Sequence, residues 1–273
     1  MTANITLSIL DTGYCTARAN MIARGTGWHE VRCHAPAFLL QHPTRGAMLF
    51  DTGYAPRILD AFTHWPDRLY KYATPTILGT PALLHLDRFG LTAADVGTII
   101  VSHLHADHVA GVRDFPKAQL VMSRAALALQ QSVSGIDAVR RGVVQRLFPA
   151  DVAQRAVVID MFEAAALPHL GGTHDLLDDG SVRLVVMPGH ARGQLGALVR
   201  TERGEVLLCA DGAWTSQAYR ELRAPHWVTG AMQDDMTALR RTLQSLHDFA
   251  LVRPDVAILP THCPETLIWG AAS

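Results

Sequence analysis

Residues 97–112 read GTIIVSHLHADHVAGV, a β-branched apolar run that breaks into a cluster of histidines. Gly97 to Ser102 has the length and composition of a buried strand. Directly after it, His103, Leu104, His105, Ala106, Asp107 and His108 spell HxHxDH. In extended chain, residues two apart project to one side, so His103 and His105 can converge on one cation. Asp107 and His108 follow where the chain must turn, and can face the same cavity from a second angle to hold another ion. A lone histidine is ordinarily a hydrogen-bonded or exposed side chain. Four ligand-type residues in six positions at the end of a buried strand are different, because burying them costs free energy unless something pairs them. A divalent metal that takes imidazole and carboxylate ligands supplies that pairing.

The same pattern recurs further along the chain. Val182 to Met187 (VRLVVM) ends at PGH, Glu205 to Cys209 (EVLLC) at ADGAW, and Val256 to Leu259 (VAIL) at PTHCPE. Between them, Met236, Leu239, Leu243, Leu246 and Phe249 recur at helical spacing, with Arg240, Arg241 and Asp248 on other faces. Upstream, Ile5 to Leu10, Ala37 to Gln41 and Ala47 to Phe50 read as short strands, the last two joined by the turn-rich HPTRG, and predict an antiparallel edge. Strands alternating with helices, each strand ending in a ligand-type residue, define an α/β layer architecture with one site at the strand ends.

Residues 55–90 differ. Phe62, Trp65, Leu69, Tyr70, Tyr72, Ile77 and Leu78 are broken by Pro56, Pro66, Pro75 and Pro81, which rules out one long helix. The segment is either a surface helical excursion packed on the core or an apolar wall or lid over a binding cleft.

The 273 residues are 49% hydrophobic and 18% charged, which excludes disorder as the main state and provides for a large interior. Mean hydropathy of +0.13 agrees. At roughly 150 residues per domain the length permits one large domain or two small ones. Without a repeat, a low-complexity tract or a pooled linker, one domain over 1–273 is expected. Lysine plus arginine number 24 against 25 acids, so the chain lacks the basic footprint of a nucleic-acid binder. Asp11, Gln41, His103 and Asp211 are among the polar residues that interrupt every apolar stretch, and no membrane span is expected. The start MTANITLSILDTGY has no basic residue and carries Asp11 where an export signal would still be apolar, which predicts a cytoplasmic protein. Cys15, Cys33, Cys209 and Cys263 form no CxxC pair and read as buried free thiols.

On HxHxDH and the later motifs together, the chain resembles the metallo-β-lactamase superfamily of hydrolases from Asp51 to His262. His190 in MPGHARGQLG resembles the family's third histidine, Asp211 in LLCADGAW its bridging carboxylate, and His262 in LPTHCPE its closing histidine. Asp51 in LFDTG resembles the early aspartate that supports the site from behind. The resemblance implies a four-layer αββα sandwich with two divalent metal ions, zinc first, with iron, manganese or cobalt as alternatives. His103, His105 and His190 would hold one ion, Asp107, His108 and His262 the other, with Asp211 bridging. Two divalent ions carry four positive charges, of which Asp107 and Asp211 neutralise half, and the remainder favours a bridging hydroxide and an anionic transition state. Asp211 stands where some antibiotic-degrading members use cysteine, which argues against that branch. Cys209, two residues earlier, is kept as a side chain that could reach the metals.

Spacing and size are similar to those of the N-acyl homoserine lactonases, which implies a hydrolase that uses a metal-bridging hydroxide to open a lactone or ester, an acyl homoserine lactone among the candidates. Thioester hydrolases of the glyoxalase II kind and phosphodiesterases share the ligand set and are the alternatives. Iron redox chemistry and a non-enzymatic metal-binding scaffold come after them. The lactonases usually carry a tyrosine three residues after the bridging aspartate to hold the substrate carbonyl. Here that position is Trp214, with Tyr219 further on. An indole N–H can donate a hydrogen bond but cannot transfer a proton. Asp107, with a second carboxylate oxygen free, is the expected proton shuttle to the leaving alcohol. Catalytic roles are therefore expected of Asp107, Asp211, Trp214 and Tyr219. Arg192, Arg220 and Arg223 are either binders of an acidic substrate group or solvated surface arginines. Trp28, Trp227 and Trp269 read as core or interface residues. The expected partner is a small-molecule lactone or ester, with no nucleic acid and no membrane, and a homodimer is left open.

Overall fold

A computed structural model of the chain describes residues 3–230 and 232–271. Strands β1 (Thr6–Arg18), β2 (Glu30–His42), β3 (Gly46–Phe50), β4 (Thr76–Leu78), β5 (Val96–Ile100), β6 (Gln119–Ser123) and β7 (Ala156–Ile159) form one sheet, ordered β4-β1-β2-β3-β5-β6-β7. Strands β8 (Ala164–Leu167), β9 (Gly171–Asp175), β10 (Val182–Val186), β11 (Leu195–Thr201), β12 (Gly204–Ala210) and β13 (Ala257–Pro260) form a second, ordered β13-β12-β11-β10-β9-β8.

Alternation along the strands stacks these sheets face to face. Phe38, Leu40, Met48, Phe50 and Ile100 of the first sheet share one buried cluster with Leu184, Leu195, Ala197, Val206 and Leu208 of the second. Their neighbours point the other way. Leu39, Leu49, Ile99 and Leu120 meet side chains from helices Arg57–Ala61, Arg124–Ser132 and Gly135–Arg140 on one outer face. Val185, Leu198, Leu207 and Ile258 meet Leu243, Leu246 and Phe249 of helix Met236–Val252 on the other. The result is an αββα sandwich, and burial on both faces explains why β3, β5 and β12 read as nearly continuous apolar runs.

Strand direction places the chemistry. β3 and β5 are parallel, so Asp51 and the 103–108 cluster emerge at one end of the first sheet. In the second sheet β10 and β12 each pair antiparallel to β11, and β13 pairs parallel to β12, so β10, β12 and β13 all run the same way. Their C-terminal ends deliver His190, Asp211 and His262 to one edge. A hydrogen bond from the Leu195 amide to the Ser102 carbonyl, 2.9 Å, ties the two sheets beside the histidine cluster.

Three expectations need correction. The antiparallel hairpin is real, but β2 and β3 are interior strands; β4, drawn from the proline-broken segment, covers that edge. The strand expected over Ile5 to Leu10 continues as β1 to Arg18, through a register shift between Asp11 and Tyr14. Trp28 and Trp227 are exposed, which removes the core half of the core-or-interface reading. Trp269 does pack, half-buried, against the inter-sheet cluster, with the Arg203 guanidinium 4.1 Å from its ring. Among the described residues no helix is long and apolar enough to cross a membrane.

Candidate metal centre

At three of the strand ends that carry the site the backbone is turned sharply. Asp51, after β3, is left-handed at φ 57°, and Ala210, before Asp211, at φ 47°. An alanine in that region is strained, and the strain is held where Asp211 is swung into the cleft. Gly189, before His190, has φ 120°, and a Cβ there would lie 2.1 Å from the Leu239 amide nitrogen. Gly142 lies behind His105, where a Cβ would lie 2.1 Å from the imidazole Cδ2. Only glycine lets both backbones approach this closely.

The hydrogen bonds fix which nitrogen each histidine offers. Asp51 is the anchor: its Oδ1 accepts the Ser102 amide at 2.8 Å, and its Oδ2 accepts the Ser102 hydroxyl at 2.6 Å and His108 Nδ1–H at 2.7 Å. With its proton committed to Asp51, Ser102 Oγ accepts from His103 Nδ1, 3.0 Å away. His262 Nδ1 donates to the His34 carbonyl at 2.6 Å, and His190 Nδ1 to Gln233 Oε1 at 2.6 Å. Gln233 Nε2 donates to the Thr229 carbonyl, which fixes the orientation of that amide. Four imidazoles thus spend Nδ1–H outward and turn Nε2 inward. His105 presents Nδ1 instead, 2.9 Å from His190 Nε2.

The inward atoms form three sets that can each hold an ion: His103, His105 and His190; His103, His108 and Asp211; and Asp107, His108 and His262, with ligand atoms within 4.8 Å of one another in each set. Asp211 lies between the two outer sets, its Oδ2 3.2 Å from His190 Nε2 and 3.0 Å from His262 Nε2, its Oδ1 3.4 Å from His108 Nε2. His103 Nε2, His108 Nε2 and Asp211 Oδ1 are buried with no hydrogen-bond partner among the described residues. Such groups are costly to bury unpaired, and a divalent cation at their focus satisfies all three. The donor set therefore fits divalent metal.

Electrostatics divides the histidines. Burial, and then neighbouring imidazoles, hold His103 well below its ordinary pKa and bring His105 down to about 3. Burial also lowers His190. For His108 and His262 burial acts in the same direction, but Asp211 and Asp107 outweigh it, raising His108 strongly and His262 to about 9. Burial opposes ionisation of Asp211 and Asp107, yet the surrounding histidines keep both carboxyls below the ordinary range.

A cleft of about 340 Å³ opens over these atoms, lined by Tyr70, Trp214, Met21, Ile22, Val228 and Met232 among others. Its apolar wall comes mainly from Ala17, Met21, Ile22, Val228 and Met232, which carried no recognisable signal in the sequence. From residues 55–90, Tyr70, Ala73 and Thr74 line the cleft, and Leu69 lines an adjoining pocket that shares Tyr70, His105 and His190 with it. Trp65 and Tyr72 are exposed, and buried Phe62 stacks behind Tyr70 at 6.1 Å. The Tyr70 hydroxyl donates to Asp107 Oδ1 at 3.2 Å. Burial and the Asp107 charge push that phenol well above its ordinary pKa, so it stays a donor.

Trp214 lines the cleft, but its indole N–H donates to Asp211 Oδ2 at 2.9 Å. Tyr219 is not brought to the site; it is buried with Leu243 and Leu246 on the outer face of the second sheet. Cys209 faces that same outer cluster, because the turn at Ala210 breaks the alternation that would have aligned it with Asp211. Arg192, Arg220 and Arg223 are paired with Asp234, Glu265 and Glu221, while Arg18 and Arg140 are the arginines of the cleft wall.

This arrangement is that of a metallo-hydrolase, and the sequence model of the Metallo-beta-lactamase superfamily matches residues 31–262. The chain belongs to that superfamily. It is 24% identical over 271 residues to the N-acyl homoserine lactonase AttM of Azorhizobium caulinodans, covering 96% of this chain and 94% of the relative. It is 33% identical over 194 residues to the metallo-hydrolase mfmC of Annulohypoxylon moriforme, covering 66% of this chain and 48% of that protein. An N-acyl homoserine lactone hydrolase solved with N-hexanoyl-L-homoserine at its catalytic metal centre shares the fold, with a TM-score of 0.73, 19% identity, and 98% and 97% of the two chains covered.

The raised pKa values give a prediction with a definite sign. Metal-free protein near pH 7 holds protons on His108 and His262, and a metal must displace them. Zinc titration calorimetry in buffers of different ionisation enthalpy should show proton release that shrinks as the pH rises through about 9 for His262. By the same linkage, the stabilisation that protonated His262 gives the metal-free fold is full below its ordinary value near 6.5 and is lost as the pH rises through about 9. Binding without proton release at pH 7 contradicts this charge assignment.

Proposed function

We propose that the protein is a dinuclear metal-dependent hydrolase that opens lactones, N-acyl homoserine lactones first among them. The observation that carries the reading is the focus of imidazole nitrogens and two carboxylates beneath an apolar cleft. His103, His105 and His190 would hold one zinc ion and Asp107, His108 and His262 the other, with Asp211 between them. Bound there, the ions would supply an activated water and a Lewis acid for the substrate carbonyl.

The chain's own residues account for the rest. Asp107 turns Oδ2 toward His262 and His108, at 3.6 and 3.8 Å, and leaves Oδ1 on the cleft side under the Tyr70 hydroxyl. That oxygen is placed to take the proton of the attacking water and return it to the ring oxygen as the carbonyl carbon–ring oxygen bond breaks, giving an acid and an alcohol. Tyr70 holds this oxygen in place, and the donor comes from helix Arg68–Ala73 instead of from the turn after Asp211. Trp214 fixes Asp211. Met21, Ile22, Val228 and Met232 offer an acyl chain a surface to bury against. Arg18 and Arg140 favour the second reading, a thioester with an acidic group.

A hydrolysis panel of lactones, thioesters and phosphodiesters on zinc-loaded protein tests the choice. Lactones should be turned over fastest, with kcat/KM rising about fourfold per added acyl methylene, the equivalent of about 0.8 kcal/mol, until the wall is covered. A flat series, or a clear preference for acidic thioesters, contradicts the lactonase reading.

Tyr70→Phe removes one hydroxyl from a charged acceptor and keeps the buried ring. It should lower kcat about tenfold to a hundredfold, corresponding to about 1.5–3 kcal/mol, with metal content unchanged. Wild-type kcat in that variant would remove Tyr70 from the mechanism.

A further inference from the structure

Cys15 of β1 and Cys33 of β2 are directly opposed in the antiparallel ladder. Their side chains therefore stand on one face of the sheet, with Cα atoms about 4.5–5.5 Å apart, inside the window of about 4.4–6.8 Å that a disulfide spans. Both line the metal cleft, in the company of Asp107, Asp211 and His262. Cys15 is half-buried and Cys33 buried. The other two thiols are elsewhere: Cys209 lies behind the second sheet, and Cys263 lies 3.4 Å from Ser216 Oγ. The proposed hydrolysis uses neither Cys15 nor Cys33. Cys33 also immediately precedes His34, whose carbonyl accepts the Nδ1–H that orients His262.

We propose that Cys15 and Cys33 are a hydroperoxide-sensitive dithiol whose disulfide forms in the cleft wall and loosens the hold on His262. The Cys15 sulfur, the less buried of the two, attacks the O–O bond of hydrogen peroxide, giving a sulfenic acid and one water. Cys33 then attacks the Cys15 sulfur, forming the S–S bond and expelling the sulfenic oxygen as a second water. Two thiols are oxidised by two electrons and one peroxide is reduced to two waters. The S–S bond demands a dihedral near a right angle, which the flat ladder does not impose on two thiols, so closing it shifts the strand at Cys33. That shift moves the His34 carbonyl, and a metal-ligating histidine that loses its outer hydrogen bond binds metal less tightly.

The test oxidises zinc-loaded, full-length protein with stoichiometric hydrogen peroxide, then combines thiol counting, intact mass and peptide mapping. Four titratable thiols should become two, the mass should fall by two hydrogens, and one crosslinked peptide pair should contain Cys15 and Cys33. Reduction with dithiothreitol should restore both thiols. Cys33→Ser should instead leave a sulfenic acid at Cys15 that dimedone captures. Oxidised wild type should lose zinc to a chromophoric chelator several-fold faster than reduced protein, and reduction should reverse the change. Retention of four thiols, a crosslink between other cysteines, or equal zinc release from both forms overturns the proposal. The coupling to zinc rests on the metal-site reading above, and the two failures are separable: reduced protein that binds no zinc refutes that reading, while the peptide map still decides the thiol pair.

Discussion

The geometry of the site depends on one constraint: imidazoles turned toward the centre must give their outer N–H to a fixed acceptor. Asp51 carries most of it. One carboxylate takes the Ser102 amide, the Ser102 hydroxyl and His108 Nδ1–H, and through Ser102 it also sets the tautomer of His103. The His34 carbonyl and Gln233 do the same for His262 and His190. These acceptors have no proton to offer, so a neutral imidazole turns a lone pair inward; on His108 and His262, which Asp211 and Asp107 keep protonated in the metal-free protein, a metal gains that lone pair by displacing the inward proton. Without a cation, several of those atoms are buried and unpaired.

The fold brings these acceptors together because strand direction repeats. Parallel pairing of β3 with β5 puts Asp51 beside Ser102, and the common direction of β10, β12 and β13 brings His190, Asp211 and His262, side chains able to hold a metal, from the second sheet to the same edge. Left-handed backbone at Asp51 and Ala210 turns the chain off the strands and into the cleft. Packing of Phe38, Phe50 and Leu208 between the sheets holds the two edges in register. The catalytic geometry and the inter-sheet core therefore rest on the same strands.

Much of this was legible in the sequence, for specific reasons. An apolar strand ending in HxHxDH has few physical explanations, and the later strand ends at His190, Asp211 and His262 repeat the pattern with single ligands. The roles of Ser102, His34 and Gln233 were not legible, since each acts through a backbone carbonyl, a hydroxyl or an amide of ordinary residue types, across long sequence separations. Cys209 was put on the face of Asp211 because counting back along the strand assumes that alternation continues, and Ala210 ends it; Tyr219 was named for its nearness to Asp211 in sequence, but it lies on helix Ser216–Arg220 and packs into the outer cluster of the second sheet. Residues 55–90 stayed open between a surface excursion and a cleft wall for a different reason. Proline-broken aromatic sequence marks an irregular surface segment without saying which way its side chains turn; Tyr70 faces the carboxylate, whereas Trp65 and Tyr72 face solvent.

The central claim is that these inward nitrogens and carboxylates form paired sites for two cations, and metal stoichiometry tests it most directly. Elemental analysis of purified protein, reconstituted with zinc and freed of loosely bound metal, should give about two ions per chain, because the donor set exceeds what one tetrahedral ion can use. A value that stays at or below about one ion per chain, with the fold intact, would contradict it.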